Sequence, residues 1–389
     1  MSEVAQAPHS SPDGRIPQLR FPEFDGVWES RLLKDAVKIN PRSGELPDEF
    51  IYIDLESVKK GYLIKETQIN KIGAPSRAQR LLNKNDVIFQ TVRPYQKNNY
   101  FFNLDGDYVA STGYAQLRVL NSPEFLYQAL HTDRFVYDVM ARSTGTSYPA
   151  INSTDLSKIK LNLPTKPEQQ KIAAFLTAVD TKIEQLSTKQ VLLGEYKKGL
   201  MQQIFSQAIR FKADDGCDFP DWEEKKLGDI LDYEQPTNYI VDSTEYDNSF
   251  DMPVLTAGKS FVLGYTNETH KVFENIPVII FDDFTTANKY VDFPFKVKSS
   301  AMKILKPKDS FVNIRLIFEF IQMLNFPIGE HKRYWISEYQ DLKIPFPSFE
   351  EQTKIASFLS SIDNKIEQVG KQLDESKQFK KALLQQMFV

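Results

Sequence analysis

Three short stretches contain residue types that could do chemistry, and the first is similar to the end of a phosphate-binding loop. Thr256–Ser260 reads Thr-Ala-Gly-Lys-Ser. The first glycine of the phosphate-loop motif would fall at Pro253, so the stretch lacks part of the backbone that surrounds phosphates in such loops. The sequence therefore does not predict nucleotide binding here.

The other two stretches are rich in acidic residues. Asp221, Glu223 and Lys225 have the residue types of a metal-dependent nuclease. They are nearly adjacent, whereas such a site draws its ligands from separate strands, so an acidic linker is the better interpretation. Asp282 and Asp283 follow an apolar run and could hold a metal with a third carboxylate, but a turn at the end of a strand is favoured.

Cysteine and histidine give no sign of a metal site. The chain has one cysteine and four scattered histidines, without the spacing of zinc ligands. The glycine-rich and serine-containing motifs of common enzymes are also missing from the sequence. We therefore expect no catalytic residues, no metal and no cofactor bound by this chain itself.

The loops carry side chains suited to double-stranded DNA. Arginine pairs with guanine and glutamine with adenine in the major groove, while lysine, serine and threonine bind phosphates. In the first half the candidates are Arg77, Gln79, Arg80, Arg93, Tyr95, Lys97, Ser143, Thr144, Thr146, Ser147 and Tyr148. In the second half they are Thr286, Asn288, Lys289, Lys298, Lys332, Arg333 and Tyr334. For any one loop, ordinary turn chemistry is the alternative.

Local charge favours DNA even though the net charge is -4. Lys71–Lys97 contains six basic residues and one acidic residue, and Lys289–Lys308 contains six lysines and one aspartate. Such stretches are attracted to a phosphate backbone. A solvated lysine face would explain one stretch, but one in each half of the chain favours DNA binding.

An internal repeat organises the elements that must position these loops. Residues 164–205 align without a gap with residues 347–388, and 19 of the 42 positions are identical. Thr165 with Glu168, and Ser348 with Glu351, have capping-box spacing. Apolar residues then recur at the steps of a coiled-coil seam. Each copy therefore predicts one long helix, and each helix can cover the apolar stripe of the other.

The repeat is larger than the helix. Each half begins with an aromatic segment that we call the lead-in, residues 20–36 in the first half and 209–230 in the second, with Trp28 matching Trp222. A body of mixed strand and helix follows each lead-in. Apolar runs at 86–92 and 278–284 predict strands, and helical patterns cover Pro123–Ala141 and Phe311–Leu324. Frequent prolines and glycines favour compact, turn-rich bodies over a parallel βαβ array.

The predicted organisation is a disordered tail at 1–15, domains at 16–163 and 211–347, and long helices at 164–210 and 348–389. No apolar run has the length of a membrane span, and no signal peptide is recognisable. We therefore expect a cytoplasmic protein without a membrane partner.

With these features the sequence resembles the specificity (S) subunit of type I restriction-modification systems. The similarity lies in the Pro-x-x-x-Glu-Gln-x-Lys-Ile-Ala motif, which begins at Pro164 and again at Pro347, in the two lead-ins, and in residues 143–151. The resemblance implies an α+β fold. Two mixed α/β target recognition domains would be separated by two long antiparallel helices that form a coiled-coil spacer, with a pseudo-twofold internal repeat.

The resemblance also implies a function and partners. Each domain would read one half of a bipartite DNA sequence, and the helices would dock two methyltransferase (modification) subunits that bind S-adenosylmethionine and methylate adenine. Restriction subunits would add cleavage that depends on ATP and Mg²⁺, so the catalytic residues would belong to the partners. Candidate docking residues, expected on the exposed side of the helices, are Glu168, Gln169, Lys171, Glu351, Gln352 and Lys354.

Two alternatives stay open. A structural coiled-coil adaptor without DNA recognition explains the helices but gives the basic loops no role. A self-sufficient methyltransferase would need an Asn-Pro-Pro-Tyr-like tetrapeptide, which the sequence lacks. If two recognition domains bind the same side of a duplex, we expect their DNA half-sites to lie roughly 34 Å apart, centre to centre. The length of the two long helices would then set the number of base pairs between the half-sites.

Overall fold

The chain folds into two compact units. The structure is a computed structural model and describes residues 15–119, 121–256, 260–324, 326 and 333–389. One unit comprises Met1–Ser187 with Gly370–Val389, and the other comprises Thr188–Val369. Each unit therefore contains one body and part of each long helix, and the boundaries expected between bodies and helices remain predictions.

The elements are numbered along the chain. The strands of the first unit are β1 (Glu29–Leu32), β2 (Val37–Ile39), β3 (Glu49–Ile53), β4 (Val58–Lys59), β5 (Tyr62–Leu63), β6 (Thr67–Asn70), β7 (Ala78–Leu81), β8 (Asp86–Gln90), β9 (Tyr100–Phe101), β10 (Tyr108–Ser111), β11 (Tyr114–Val119) and β12 (Lys160–Leu163). Those of the second unit are β13 (Glu223–Lys226), β14 (Leu231–Glu234), β15 (Met252–Leu255), β16 (Val262–Thr266), β17 (Val278–Asp282), β18 (Asn288–Val291), β19 (Lys296–Val297), β20 (Met302–Pro307) and β21 (Lys343–Phe346).

The helices are α1 (Leu33–Ala36), α2 (Pro123–Ala129), α3 (Asp133–Met140), α4 (Ser153–Ser157), α5 (Lys166–Phe205), α6 (Leu227–Ile230), α7 (Ile314–Met323), α8 (Tyr334–Ser337) and α9 (Phe349–Met387). Single 3-10 turns occupy Lys71–Gly73, Pro94–Gln96, Pro236–Tyr239 and Tyr339–Asp341. Among the described residues, no helix combines the length and the apolar character needed to cross a membrane.

The same central sheet occurs in both bodies. Its order is β2-β11-β8-β9 in the first unit and β14-β20-β17-β18 in the second, with antiparallel neighbours throughout. A second sheet follows, β6-β3-β10-β7 or β16-β15-β19, and it contains one parallel pair in each unit. The strands predicted at 86–92 and 278–284 are confirmed as β8 and β17, which are buried along their whole length.

Helices cover one face of each central sheet. In the first unit Val87 and Phe89 of β8 pack with Leu126 of α2 and Phe135 of α3. In the second unit Ile279 and Phe281 of β17 pack with apolar residues of α7. Removing these side chains from water is the main stabilising contribution to each body.

The helix expected to run from Pro123 to Ala141 is interrupted. Helix α2 ends at Ala129, and α3 begins at Asp133. The Thr132 hydroxyl accepts a hydrogen bond from the Phe135 amide at 3.3 Å, so it caps a new helix. The prediction of one helix is wrong because this local cap lies inside the apolar pattern, whereas the pattern at 311–324 gives the single helix α7.

The long helices α5 and α9 are antiparallel, as predicted. In the first unit Ile172 and Leu176, near the start of α5, pack with Leu383 and Met387 near the end of α9. In the second unit the end of α5 packs with the start of α9 through Ile204 and Ile355. All predicted seam positions are buried or half-buried: Ile172, Leu176, Val179, Ile183, Leu186, Gln190, Leu193, Lys197, Leu200 and Ile204 in α5, and Ile355, Leu359, Ile362, Ile366, Val369, Leu373, Ser376, Lys380, Leu383 and Met387 in α9.

A lysine occupies the same step of both seams because it forms an interhelical ion pair. Lys380 of α9 pairs with Asp180 of α5 in the first unit. In the second unit Lys197 lies 2.8 Å from Asp363 and 2.9 Å from Glu319 of α7. A partly buried lysine that has an acidic partner in only one register disfavours helix slippage.

The glutamates at the helix starts do not complete capping boxes. The Ser348 hydroxyl accepts from the Glu351 amide at 3.3 Å, as predicted. The Glu351 carboxylate, however, accepts hydrogen bonds from Arg210 at 2.9 Å and from the Trp222 indole at 2.7 Å. We call Arg210, Trp222 and Glu351 the Glu351 cluster. The prediction is wrong for this side chain because the lead-in offers a charged partner in place of the backbone amide.

An equivalent cluster lies in the first unit. The Glu168 carboxylate accepts from Arg20 at 2.7 and 2.8 Å and from the Trp28 indole at 3.3 Å. We call these residues the Glu168 cluster. The tryptophan in each lead-in therefore fixes that segment to the start of the following helix, which explains why the two lead-ins match in sequence.

Candidate nucleic-acid interface

The loop after β8 and the loop before α4 join at one place, which we call the first junction (residues 91–97 and 143–151). Arg93 has a left-handed backbone (φ 53°), and its amide donates to the Pro149 carbonyl at 2.7 Å. Its guanidinium lies 4.1 Å from the centre of the Tyr148 ring. Cation–π contact therefore fixes a positive charge beside an exposed aromatic ring.

The glycine-containing loop of the first junction is a tight turn. The amides of Thr144 and Ala150 each donate to the other's carbonyl at 2.9 Å. Gly145 has φ 92°, and a Cβ there would lie 3.1 Å from the Tyr148 carbonyl oxygen, so glycine is required. Thr144, Thr146, Ser147 and Tyr148 are exposed, and Ser143 is half-buried. The loop thus presents hydroxyl groups next to Arg93.

Arg77, Gln79 and Arg80 lie near the same edge through a shared turn between β10 and β11. The Thr112 amide donates to the Arg77 carbonyl at 2.8 Å, and Thr91 of the first junction donates its amide to the Gly113 carbonyl at 3.0 Å. Sequence reasoning missed this turn, because Ser111–Gly113 resembles any hairpin and the contacts involve only backbone groups.

The arginines of this edge keep their charge free of acidic partners. Among the described residues, Arg77, Arg80 and Arg93 form no ion pair, whereas Lys71 and Lys84 pair with Glu45 and Asp105. Partial burial lowers the pKa of the Arg80 guanidinium. A guanidinium nevertheless stays charged in proteins. Gln79 is exposed and donates to the Ser76 carbonyl at 2.7 Å.

Two of the predicted DNA-binding residues, Tyr95 and Lys97, differ in how accessible their side chains are. Tyr95 is 49% exposed and accessible to a ligand. The Lys97 ammonium instead donates to the His131 carbonyl at 2.8 Å and to Asp133 at 2.7 Å. The start of α3 therefore already binds the Lys97 ammonium, and a contact of Lys97 with DNA stays a prediction.

The second unit repeats this arrangement in what we call the second junction (residues 282–289 and 333–335). The Asp282 carboxylate accepts from the amides of Phe284 and Thr285 at 2.8 and 3.2 Å. This is the predicted turn at a strand end. The Asp283 carbonyl accepts from the Tyr334 amide at 2.9 Å, and its carboxylate accepts from the Trp335 amide at 3.0 Å.

A buried ion pair holds Asp283 of the second junction in place. The Lys303 ammonium lies 3.7 Å from the Asp283 carboxylate and 4.5 Å from the centre of the Tyr233 ring. Lys303 and Asp283 are both buried. Burial lowers the pKa of Lys303, and the Asp283 charge opposes that shift. In the sequence, Lys303 resembles a surface charge because it lies in the lysine-rich stretch 289–308.

That lysine-rich stretch is only partly a surface. Lys296 is also buried, with its ammonium 2.7 Å from Glu268, and Lys306 pairs with Glu234 at 2.9 Å. The interpretation of Lys289–Lys308 as one basic surface is therefore wrong. Lys289 is exposed, and the half-buried Lys298 has its ammonium 5.9 Å from the centre of the Tyr246 ring.

The remaining candidates of the second junction differ in exposure. Arg333 is exposed, while Thr286 and Asn288 are half-buried, with the Asn288 amide donating to the Thr286 carbonyl at 3.1 Å. Tyr334 is 1% exposed and packs against Phe326, so its side chain is not accessible in this structure, and its contact with DNA stays a prediction. Lys332 lies outside the described residues, as do residues 1–14 and 257–259.

Four of the six predicted docking residues are buried. Glu168 and Glu351 lie in their clusters, and the side chains of Gln169 and Gln352 donate to the Pro164 and Pro347 carbonyls, each at 2.9 Å. The expectation that these four lie on the exposed side is wrong. The doubled Glu-Gln motif fixes the start of each helix, so its regular spacing has a structural cause.

The two lysines of the same motif are the accessible ones. Lys171 is exposed and pairs with Glu23, and Lys354 is half-buried and donates to the Lys212 carbonyl at 2.7 Å. A docking role stays a prediction for this pair.

One group of side chains in the second unit has the types of metal ligands. Ligand atoms of Asp242, Glu268 and His270 lie within 4.8 Å of one another. Lys271 and His270 hold the pKa of Asp242 down at about 2, and Lys296 binds Glu268 at 2.7 Å. These ion pairs already neutralise both carboxylates, so the arrangement is not that of a vacant cation site.

Comparison with known proteins decides the family. The sequence profile described as "Type I restriction modification DNA specificity domain" matches residues 26–193 and 220–376, one match in each half of the chain. The chain belongs to this family. The resemblance drawn from the repeated helix motif and the lead-ins is thereby confirmed.

Relatives within the specificity-domain family share part of the chain. The specificity subunit of the Escherichia coli type I restriction enzyme EcoR124I/EcoR124II is 49% identical over 141 residues, 35% of this chain and 35% of that protein. The putative MjaX specificity subunit of Methanocaldococcus jannaschii is 25% identical over 276 residues, 60% of each chain. The matched segments thus span between about a third and three fifths of these two relatives.

A solved structure shares the fold over nearly the whole length. The type I restriction-modification S subunit from M. genitalium superposes with a TM-score of 0.67 at 17% identity, covering 96% of this chain and 99% of that one. The predicted fold, with two mixed α/β domains and an antiparallel pair of long helices, is confirmed.

Proposed function

We propose that this specificity-domain protein is the DNA-reading subunit of a type I restriction-modification complex and that each unit reads one half of a bipartite duplex sequence. The observation that carries the proposal is the pair of equivalent junctions, one in each unit. Each lies where the central strand of the body ends, and each presents an exposed arginine or hydroxyl groups on a loop held by backbone hydrogen bonds.

The two junctions differ in the residues available for reading. The first offers Arg93, Tyr148 and a hydroxyl-rich loop, with Arg77 and Gln79 at the same edge. The second offers Lys289 and Arg333 around an Asp-anchored turn. Because base edges are read by side-chain donors and acceptors, different side chains on one scaffold would select different half-sites.

We further propose that the chain is not catalytic and binds no cofactor. Two methyltransferase subunits would bring S-adenosylmethionine, and restriction subunits would bring ATP and Mg²⁺. Support comes from the family and from the names of its relatives, which are specificity subunits of restriction enzymes. Lys171 and Lys354 are candidate contacts for the methyltransferase subunits, one at the start of each long helix.

Direct DNA binding tests this proposal against a purely structural adaptor. The full chain should shift random duplex DNA at low salt, and the affinity should fall steeply as salt rises. The separate variants Arg93→Ala and Arg333→Ala should weaken binding, and Lys84→Ala, which removes a lysine already paired with Asp105, should not. Absence of any shift at low salt would favour the adaptor.

Methylation mapping then tests the division of labour. With its methyltransferase partner, the chain should direct adenine methylation to one bipartite motif, and Arg93→Ala and Arg333→Ala should each abolish it. The isolated chain should not bind S-adenosylmethionine. Methylation that persists in both variants would show that the junctions are not the reading surfaces.

A further inference from the structure

The first unit contains an acidic, aromatic-walled cavity that the proposed DNA-reading role does not use. It has a volume of about 560 Å³ and lies between the turn that joins β4 to β5, helix α2 and the first half of α5. Tyr62, Phe101 and Tyr127 line it, together with the carboxyl groups of Glu124 and Glu184. Among the described residues, neither carboxylate forms an ion pair.

The field inside this cavity is negative. Glu66 and Asp180 also line it, and the cations along its wall are Lys60 and Lys380, of which Lys380 is already bound to Asp180. Burial raises the pKa of Tyr62, and the charges of Glu184 and Asp180 raise it further. A surface of this sign repels DNA and attracts a cationic group.

The second unit shows what such a cavity holds. Its equivalent, of about 980 Å³, is lined by Tyr290, Arg315, Asp363 and Glu367. The Arg315 guanidinium lies 4.7 Å from the centre of the Tyr290 ring and 5.7 Å from that of Phe318. It also donates to Glu319 at 3.0 Å and to Asp363. Here the chain supplies the cation itself.

The correspondence between the two sites is residue by residue. Ser122 and Asn313 cap α2 and α7, so Glu124 stands where Arg315 does, two residues after the cap. Both sites also have a pair of aromatic rings in the same arrangement. The ring centres of Phe101 and Tyr127 are 6.4 Å apart with an interplanar angle of 43°, and those of Tyr290 and Phe318 are 6.0 Å apart with an angle of 48°. The offset of 183 residues that relates the long helices places Asp180 and Glu184 at the positions of Asp363 and Glu367.

One acceptor in the first unit lacks the donor that its counterpart has. Gln128 occupies the position of Glu319, six residues after the cap, and is 1% exposed. Its amide donates to Asp180 at 2.8 Å, but its carbonyl oxygen has no hydrogen-bond partner although the side chain lines the cavity. In the second unit the corresponding acceptor binds the Arg315 guanidinium.

We propose that this cavity of the first unit binds the guanidinium of an arginine side chain from a partner subunit of the complex. The arginine would lie against Phe101 and Tyr127 and would donate to Glu124, Glu184 and the Gln128 carbonyl oxygen. The choice of a protein side chain rests on the proposed function, which requires partner subunits, and on the charge of the cavity. Recognition of the guanidinium itself rests only on the comparison of the two units.

Binding of a small probe to the full chain tests the guanidinium site. Arginine amide is titrated at constant ionic strength, with ligand-observed NMR as the readout and citrulline amide as the neutral isostere. We expect saturable binding of arginine amide only. Gln128→Glu, which copies Glu319, should tighten it about tenfold, because a hydrogen bond to a charged group is worth roughly 1.4 kcal/mol more than one to a neutral group.

A charge-reversing variant provides the decisive comparison. Glu124→Arg copies Arg315, so it should fill the cavity from within and abolish probe binding while the chain keeps its thermal stability. Glu56→Arg makes the same charge change at an exposed residue of the same unit and should leave binding unchanged. Equal binding of citrulline amide, no saturable binding, preference for spermidine, or equal loss in both variants would each overturn the guanidinium site.

Assembly with the methyltransferase subunit tests the occupant. Glu124→Arg should weaken assembly at least tenfold relative to Glu56→Arg, measured by sedimentation with purified subunits. Unchanged assembly together with lost probe binding would overturn the partner arginine as occupant. The DNA shift of the isolated chain is scored separately and should be equal in both variants, so a failure of DNA reading is distinguishable from a failure at this cavity.

Discussion

Removal of the Glu351 carboxylate is the sharpest test of how the lead-in segments are held. In Glu351→Ala, the indole N–H of Trp222 loses its acceptor. The guanidinium of Arg210 loses the carboxylate and keeps the carbonyls of Phe219 and Pro220 as acceptors. The Glu351 side chain is 0% exposed and that of Arg210 is 25% exposed, so the pair is shielded from water on one side only. The variant therefore leaves a partly buried cation with only the exposed carboxylate of Asp221, 3.6 Å away, as a counter-charge.

The expected cost follows from this geometry. Removal of one partner from a fully buried ion pair costs about 3–5 kcal/mol, and the residual hydration of Arg210 reduces this to about 2–3 kcal/mol. A matched control is Glu224→Ala, which breaks the exposed pair with Lys343, where the side chains are 71% and 61% exposed. An exposed pair contributes about 0–1 kcal/mol, so the two variants should differ clearly.

Urea unfolding followed by circular dichroism measures the global loss, and hydrogen exchange at residues 206–226 locates it. The double variant Arg210→Met with Glu351→Leu should recover much of the stability, because replacing both partners leaves no unpaired charge. A Glu351→Ala variant no less stable than Glu224→Ala, with unchanged exchange in the lead-in, would refute the view that this cluster anchors the segment.

Three further predictions concern other parts of the chain. Burial lowers the pKa of His131 from 6.5 to about 4. The unfolded chain therefore takes up a proton first as the pH drops, and the free energy of unfolding should decrease between about pH 6.5 and 4. In His131→Gln, the difference between the urea midpoints measured at pH 7 and at pH 5 should be smaller than in the parent chain. Lys197→Met should lower stability by about 1–3 kcal/mol, because Glu319 is buried and loses one of its two cations; a midpoint equal to that of the parent chain would argue against the pair. Insertion of one heptad into both long helices should lengthen the gap in the methylated motif, and an unchanged gap would refute the spacer hypothesis.

The sequence by itself determined the repeat, the long helices and the family. The seam of α5 and α9 could be predicted because a long amphipathic helix obeys a period that local sequence displays, and 19 identities in an ungapped match require duplication. The central strands β8 and β17 were equally visible, since a strand buried on both faces is a continuous apolar run. The break between α2 and α3 was harder to predict, because its N-cap residue, Thr132, lies within a longer apolar pattern.

Only the tertiary structure decided which charged residues are free. In the sequence, Lys97, Lys296 and Lys303 cannot be told apart from an unpaired basic residue such as Arg77. In the structure, each of these three lysines pairs with a carboxylate that is distant in sequence. The same holds for Glu168 and Glu351, whose regular spacing suggested a helix cap or a docking surface and whose partners are the lead-in arginine and tryptophan. Pairing of charges depends on distances between segments far apart in the chain, and local sequence does not encode those distances.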